Sequence, residues 1–231
     1  MTQTAPSETA AVLIEPILGE GGYVPPPEDF LCGVARICQE NEILLIADEV
    51  QSGFGRSGKW FAFEHYGFEP DIMVMAKGMA SGFPLSGIAA RSAIMDQWIP
   101  GSHGGTYGGN AVSCAAAKAT IEVMRDEDLI RNSEVMGKKM MAELRKLQRE
   151  YPVIGDVRGK GLMVAAEFTT PAGEPDKTTA GSVRGKCLEN GLILLTCGSY
   201  GNVIRWIPPL IIGEAHLEEA LEIFREALET S

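Results

Sequence analysis

The feature that most constrains this chain is a pair of unbroken apolar runs, each ending on a charged residue. Ile43-Leu44-Leu45-Ile46-Ala47 closes on Asp48, and Ile72-Met73-Val74-Met75-Ala76 closes on Lys77. Short continuous apolar runs bounded by turn residues predict strands buried on both faces of a parallel sheet, where no polar alternation is needed. Asp48 and Lys77 then fall at strand carboxyl ends. Open α/β sheets place their ligands at that edge, although a lone Asp or Lys there is more often a solvated loop residue.

The chemistry of the pair gives the edge position its meaning. Neighbouring strands lie about 4.8 Å apart, so adjacent tips could hold opposite ends of one flat aromatic ring. A carboxylate beside a pyridine nitrogen keeps that nitrogen protonated, and a lysine amine can condense with an aldehyde. Together they describe a site for pyridoxal 5'-phosphate. Gln51, three residues beyond Asp48, is within reach of a ring hydroxyl.

Four stretches carry a family resemblance: IEPILGEGGYVPP, LLIADEVQSGFGRSGKWFAFEHYGFEPDIMVMAKGMASGFPLS, GTYGGN and RGKGLMVAAEF. In order, they resemble the signatures of class III pyridoxal-phosphate aminotransferases of the 4-aminobutyrate aminotransferase-like group. The resemblance runs from about Ala11 to the C-terminus. It implies that Asp48 pairs with the pyridinium nitrogen, Val50 packs on the ring, Gln51 contacts its hydroxyl and Lys77 carries the cofactor. It also implies that Thr106 binds cofactor phosphate across a homodimer interface, that Arg205 grips the substrate carboxylate and that Glu20 is the charge partner of that arginine. The implied fold is α/β: part of the fold-type I large domain, a mainly parallel sheet with flanking helices, followed by a C-terminal α/β small domain. The implied reaction moves an amino group from an amino acid or ω-amine to a keto acid such as 2-oxoglutarate. The family's N-terminal half, with its main phosphate-binding loop and ring-stacking aromatic, has no counterpart here, because the chain begins just before the Glu15 motif. The alternative is therefore a catalytically incomplete remnant, or one subunit of a split enzyme whose N-terminal half is a separate chain.

Composition narrows the partners. The chain has 231 residues, 45% hydrophobic and 22% charged, and its net charge of -11 disfavours a nucleic-acid partner, which would need clustered Lys and Arg. The five cysteines, Cys32, Cys38, Cys114, Cys187 and Cys197, form no C-x-x-C pair, so neither a disulfide framework nor a metal site is expected. MTQTAPSETA has no basic residue ahead of its first apolar run, and no run approaches the roughly eighteen residues of a membrane span. A cytoplasmic location is the default.

The remainder reads in order as follows. Residues 1–10 form a flexible tail, residues 11–127 the cofactor-binding portion and residues 128–231 the C-terminal domain. Ala11 to Ile14 is a strand, GEGGY a turn, and Glu28 onward a helix to about Glu40, giving a right-handed strand–helix–strand unit with the Asp48 strand. On its own residues, Glu20 reads as solvent-exposed. Gly53 to Lys59 mimics two nucleotide motifs, but Trp60 stands where a metal-binding Ser or Thr is required and no long helix fits before Gly67 and Pro70. GIAARSAIM predicts a further strand, or a strand and turn. GSHGGTYGGN opens onto a helix from Ala111, an arrangement that suits either a capped helix or a phosphate site. Leu129, Met136, Met140, Leu144 and Leu147 trace an amphipathic helix that Pro152 stops. A polar turn at 171–177, a helix near 178–190, the runs GLILLTCG and VIRWIPPLII and a last helix from about 214 complete an α/β pattern. Arg205 lies inside an apolar segment, where it either points outward from an edge strand or is buried with a partner.

Overall fold

The structure, a computed structural model, describes residues 4–230. By packing, the chain divides into two compact units. The first comprises the described residues up to Pro16, with Pro26–Phe54 and Trp60–Asp128; the second comprises Ile17–Pro25, Gly55–Lys59 and Leu129 onward.

In the first unit, β1 (Ala11–Ile14), β2 (Leu44–Asp48), β3 (Ile72–Met75) and β4 (Gly87–Ala90) form one sheet in that order. β1, β2 and β3 are mutually parallel and β4 is antiparallel to β3. The β1–β2 crossover is α1 (Glu28–Glu40), which the prolines at 25–27 start and whose first turn carries Glu28 and Asp29 at its positive end. Val34, Ala35 and Cys38 of α1 pack with Val12, Ile14 and Leu45, so one face of the sheet is covered. Burial on both faces, as the apolar runs predicted, is not observed. The register puts Leu13, Ile46, Asp48, Val74 and Ile88 on the other face, where Leu13 is 63% and Ile88 40% exposed. The runs are unbroken because both faces are apolar, but among the described residues a helix layer of the α1 kind lies on only one of them.

The expected tail falls partly on residues 1–3, outside the described residues. From Ala5 onward the segment is hydrogen-bonded: Pro6–Glu8 make a 3-10 turn, and Leu44 N–H donates to Ala10 O at 3.1 Å. After β4 come α2 (Ser92–Met95) and α3 (Ala111–Asp126). Asn110 caps α3, its side chain accepting from the N–H groups of Val112 and Ser113 at 3.1 Å each.

In the second unit, α4 (Leu129–Glu150) leads into β5 (Ile154–Lys160) and β6 (Met163–Phe168), followed by α5 (Lys177–Glu189), β7 (Leu195–Cys197), β8 (Val203–Trp206) and α6 (Glu214–Glu229). The sheet order is β5-β6-β8-β7, antiparallel throughout. Met136, Met140, Leu144 and Leu147 of α4 are buried against β6 and β8 residues and Phe224 of α6, as their spacing predicted. Gly161 and Leu162 form the two-residue β5–β6 loop; Gly161 has φ +53°, and an added Cβ would meet Ser57 backbone carbon at 2.3 Å. α4 crosses this loop so closely that a Cβ on Gly137 would lie 2.0 Å from Gly161 O. Among the described residues, no helix is long and apolar enough to cross a membrane.

Candidate functional site

β2 and β3 are adjacent and parallel, so their carboxyl ends share one edge of the first sheet. Asp48 ends β2 opposite Val74, and Lys77 follows the end of β3 at the start of a 3-10 turn, Lys77–Ala80. The expected juxtaposition of these two strand ends is present. Asp48 is half-buried, and its Oδ1 accepts from Val50 N–H at 3.0 Å. This bond folds the chain back just past the strand and brings Val50 and Gln51 round the same tip; both are half-buried.

Lys77 has φ +44°, in the left-handed region that a long side chain rarely adopts, at a penalty of about 1–2 kcal/mol. Its side chain makes no hydrogen bond or ion pair among the described residues, and the residue is exposed. A strained backbone carrying an uncommitted amine is an arrangement that stability alone does not select. Thr106 lies in the exposed loop ahead of α3, four residues before the Asn110 cap.

The neighbour of Asp48 was missed by every sequence motif. Glu49 is 0% exposed and points to the opposite side of the strand end. Ser52 Oγ donates to its Oε2 at 2.6 Å and Phe63 N–H to its Oε1 at 2.8 Å, while its own N–H reaches Val74 O at 3.0 Å and its carbonyl accepts from Gly53 N–H at 3.0 Å. Burial pushes its carboxyl pKa above the ordinary value, outweighing the opposing hydrogen bonds. Glu49 thus ties the 49–53 turn to β3 and to the segment after Phe61, fixing the backbone that presents Asp48, Val50 and Gln51. An acid inside a glycine-rich turn with Ser three residues on was the available signal.

The second unit carries the other candidates. Arg205 sits in β8 with its side chain only 14% exposed, and its Nη1 donates to Glu20 Oε1 in an ion pair. The expected Glu20–Arg205 pairing is therefore present, and the outward-pointing alternative for Arg205 is not. Glu20 belongs to a hairpin over residues 17–25 closed by two 3.1 Å backbone bonds between Leu18 and Val24. The phenol of Tyr23, in the same hairpin, is fully buried against Arg205 without a well-formed hydrogen bond, and Arg205 Nε likewise has no partner. Burial pushes the Tyr23 pKa up to about 12 against the smaller pull of the Arg205 and Arg56 cations. The Arg205 pKa is raised: burial works to lower it, and the bond to Glu20 and the charges around it prevail. Arg56, also missed, has its pKa lowered by burial; it donates to Leu162 O at 3.2 Å and Pro208 O at 2.6 Å, stitching the glycine-rich segment into the second unit. The turn resembling a nucleotide loop is thus irregular chain without a following long helix.

Comparison with known proteins settles the family. The family model for class-III aminotransferases matches residues 1–228. The chain belongs to that family. Class-III aminotransferases are enzymes that depend on pyridoxal 5'-phosphate. Among relatives, the 5-aminovalerate aminotransferase of Pseudomonas putida is 46% identical, covering 96% of this chain and 52% of the relative. An alanine/serine racemase of Pyrococcus horikoshii is 44% identical, covering 96% of the chain and 47% of the relative. A Bacillus anthracis aminotransferase structure superposes with a TM-score of 0.94 at 35% identity, over 98% of this chain and 54% of that one. The chain spans about half the length of the curated relatives it matches.

Proposed function

We propose that this chain takes part in pyridoxal-phosphate-dependent transamination, moving an amino group from an ω-amino acid of the 4-aminobutyrate or 5-aminovalerate kind to a keto acid such as 2-oxoglutarate. The observation that carries the reading is the presence of Asp48 and Lys77 at the ends of adjacent parallel strands, the lysine strained and uncommitted. The residues fit the cofactor. Asp48 keeps one oxygen in its own turn and leaves Oδ2 without a partner among the described residues, a half-buried acceptor suited to a cationic ring N–H.

Bound pyridoxal phosphate supplies an aldehyde that exchanges amine partners and an electron sink for breaking a bond next to nitrogen. Asp48 would hold the proton on the ring nitrogen, Val50 would pack on the ring, Gln51 would meet its hydroxyl, and Thr106 would bind the phosphate held by a second copy of the chain. Lys77 would hold the cofactor aldehyde, and its Nζ, once free, would be the base that takes up and returns the proton of the substrate carbon. Arg205 takes the α-carboxylate of the keto acid through its planar, two-pronged guanidinium. Glu20 covers Arg205 when a terminal-amine donor lacking an α-carboxylate is bound, so the cation is never buried unpaired. The same reading treats residues 11–127 as part of a fold-type I large domain, residues 128–231 as a small domain, and the cytoplasm as the location.

A second reading is favoured by the racemase relative: the same lysine and aspartate could interconvert amino-acid enantiomers without any keto acceptor. Purified protein mixed with pyridoxal phosphate should develop a visible absorbance band that Lys77→Ala removes. An ω-amino acid should bleach the band, and 2-oxoglutarate should restore it while glutamate forms. Enantiomer exchange without glutamate would replace transamination by racemisation, and no band at all would sink both.

A further inference from the structure

The strongest unexplained constellation in the second unit surrounds Arg158. Its side chain is 17% exposed, and its Nη1 donates to Asp156 Oδ2 at 2.8 Å and Glu167 Oε2 at 2.5 Å. Asn202 Nδ2 braces the other Glu167 oxygen at 3.3 Å. The remaining two Arg158 nitrogens serve neither acid. Nε and Nη2 both donate to Gly22 O, at 3.1 and 2.7 Å. A guanidinium fixed on one side by two carboxylates thus grips, with its other edge, the backbone of the hairpin that carries Glu20.

The rest of the hairpin is built to receive this grip. Gly22 has φ +129°, and a Cβ there would sit 3.2 Å from Arg158 Nη2, so a side chain at this position would be strained and crowded at once. Two residues earlier, Glu20 O accepts from Gly198 N–H at 2.9 Å. Tyr23, at φ +52°, buries its ring beside Arg205. The backbone around Glu20 is therefore held on both sides, whereas the Glu20 side chain is 66% exposed and paired with Arg205. How firmly Glu20 caps Arg205 depends on how rigidly that backbone is presented.

We infer that Arg158 is a positioning residue for substrate switching: by pinning Gly22 O it pre-organises Glu20 as the competitor that any substrate carboxylate must displace from Arg205. This deepens, and rests on, the reading of Arg205 as the carboxylate receiver. Loosening the hairpin weakens the cap, so a dicarboxylate gains affinity while a donor that needs Arg205 covered loses it. General damage to the unit would weaken both, so the opposite signs separate positioning from mere structural support.

The probe is glutarate, a dicarboxylate with neither amine nor ketone, titrated calorimetrically into the cofactor-loaded protein and its variants. Arg158→Met should tighten glutarate about fivefold, as should Glu20→Gln, and the double variant should bind no tighter than Glu20→Gln alone. In kinetics, Arg158→Met should raise the KM for an ω-amino donor about fivefold while lowering that for 2-oxoglutarate by a similar factor. Arg158→Lys keeps the charge beside Asp156 and Glu167 without the paired grip; it should tighten glutarate about twofold and carries the test if Arg158→Met does not fold. Glutarate that binds unchanged or more weakly in the Arg158 variants, or gains that add in the double variant, would overturn the inference. Arg205→Met isolates the underlying reading. If it abolishes glutarate binding while the Arg158 variants leave binding unchanged, the Arg158 inference alone fails; if glutarate still binds, Arg205 is not the receiver and both fall.

Discussion

Two groups of charged residues differ in how their charges are met. At the strand ends of the first unit, Lys77 has no partner among the described residues, Asp48 spends one oxygen on its own turn, and Thr106 is exposed. In the second unit, Arg205 is paired with Glu20, and Arg158 is bonded to two carboxylates and a carbonyl. The first leaves an amine and a carboxylate oxygen without partners among the described residues. In the second, each guanidinium already has a carboxylate partner, so a ligand carboxylate competes with that partner. A chemical step suits the former, and a choice between substrates suits the latter, where the energy difference between two occupants is small and adjustable.

The sharpest way to break this contrast is at Lys77. Lys77→Ala should abolish covalent cofactor attachment, read by mass spectrometry after borohydride reduction, and should lower amino transfer by about 10²–10⁴-fold, the range for losing a positioned acid–base group. Retained attachment at another lysine would move the site. In the second unit the corresponding blow is structural: Gly137→Ala places a methyl against Gly161 O and should destabilise the unit by about 1–3 kcal/mol in denaturant titrations.

Smaller effects sharpen the comparison within the first unit. Burial raises the Glu49 pKa above 4.5, so its neutral form is the one the fold prefers. Stability from this group is full below its unfolded value and is lost as pH rises through the raised folded value, with a slope of at most about 1.4 kcal/mol per pH unit. Glu49→Gln should flatten that part of the stability–pH curve while keeping the bond from Phe63. An unchanged curve would place the titration elsewhere. Smallest of all, Lys77→Gly should remove activity yet raise thermal stability by about 1 kcal/mol, because only glycine takes φ +44° without penalty.

Much of this was legible in the residues. The apolar runs located β2 and β3 and put Asp48 and Lys77 at a shared edge, because strand ends are written where hydrophobic runs stop. The α4 heptad-like spacing and the turn at 171–177 were equally readable, being local patterns. Glu49, Arg56 and Arg158 were not. Their partners lie in segments far along the chain, such as Pro208 for Arg56 and Gly22 for Arg158, and no local period encodes such a meeting. Arg205 was open on its own residues because an arginine inside an apolar run fits an edge strand or a buried pair equally well. The sheet's second face was misread for a related reason: an apolar pattern states what a face prefers, and only packing shows whether that preference is met.

That second face has a practical consequence. Among the described residues Leu13 and Ile88 are exposed and β1 and β4 are the outer strands of the first sheet, so this chain in a concentrated preparation presents an apolar surface and strand edges through which copies can adhere. The net charge of -11 keeps copies apart only while its field reaches across solvent, about 30 Å at 0.01 M salt but about 8 Å at 0.15 M. Light scattering should therefore climb as sodium chloride is added, and purification would be best attempted in dilute buffer.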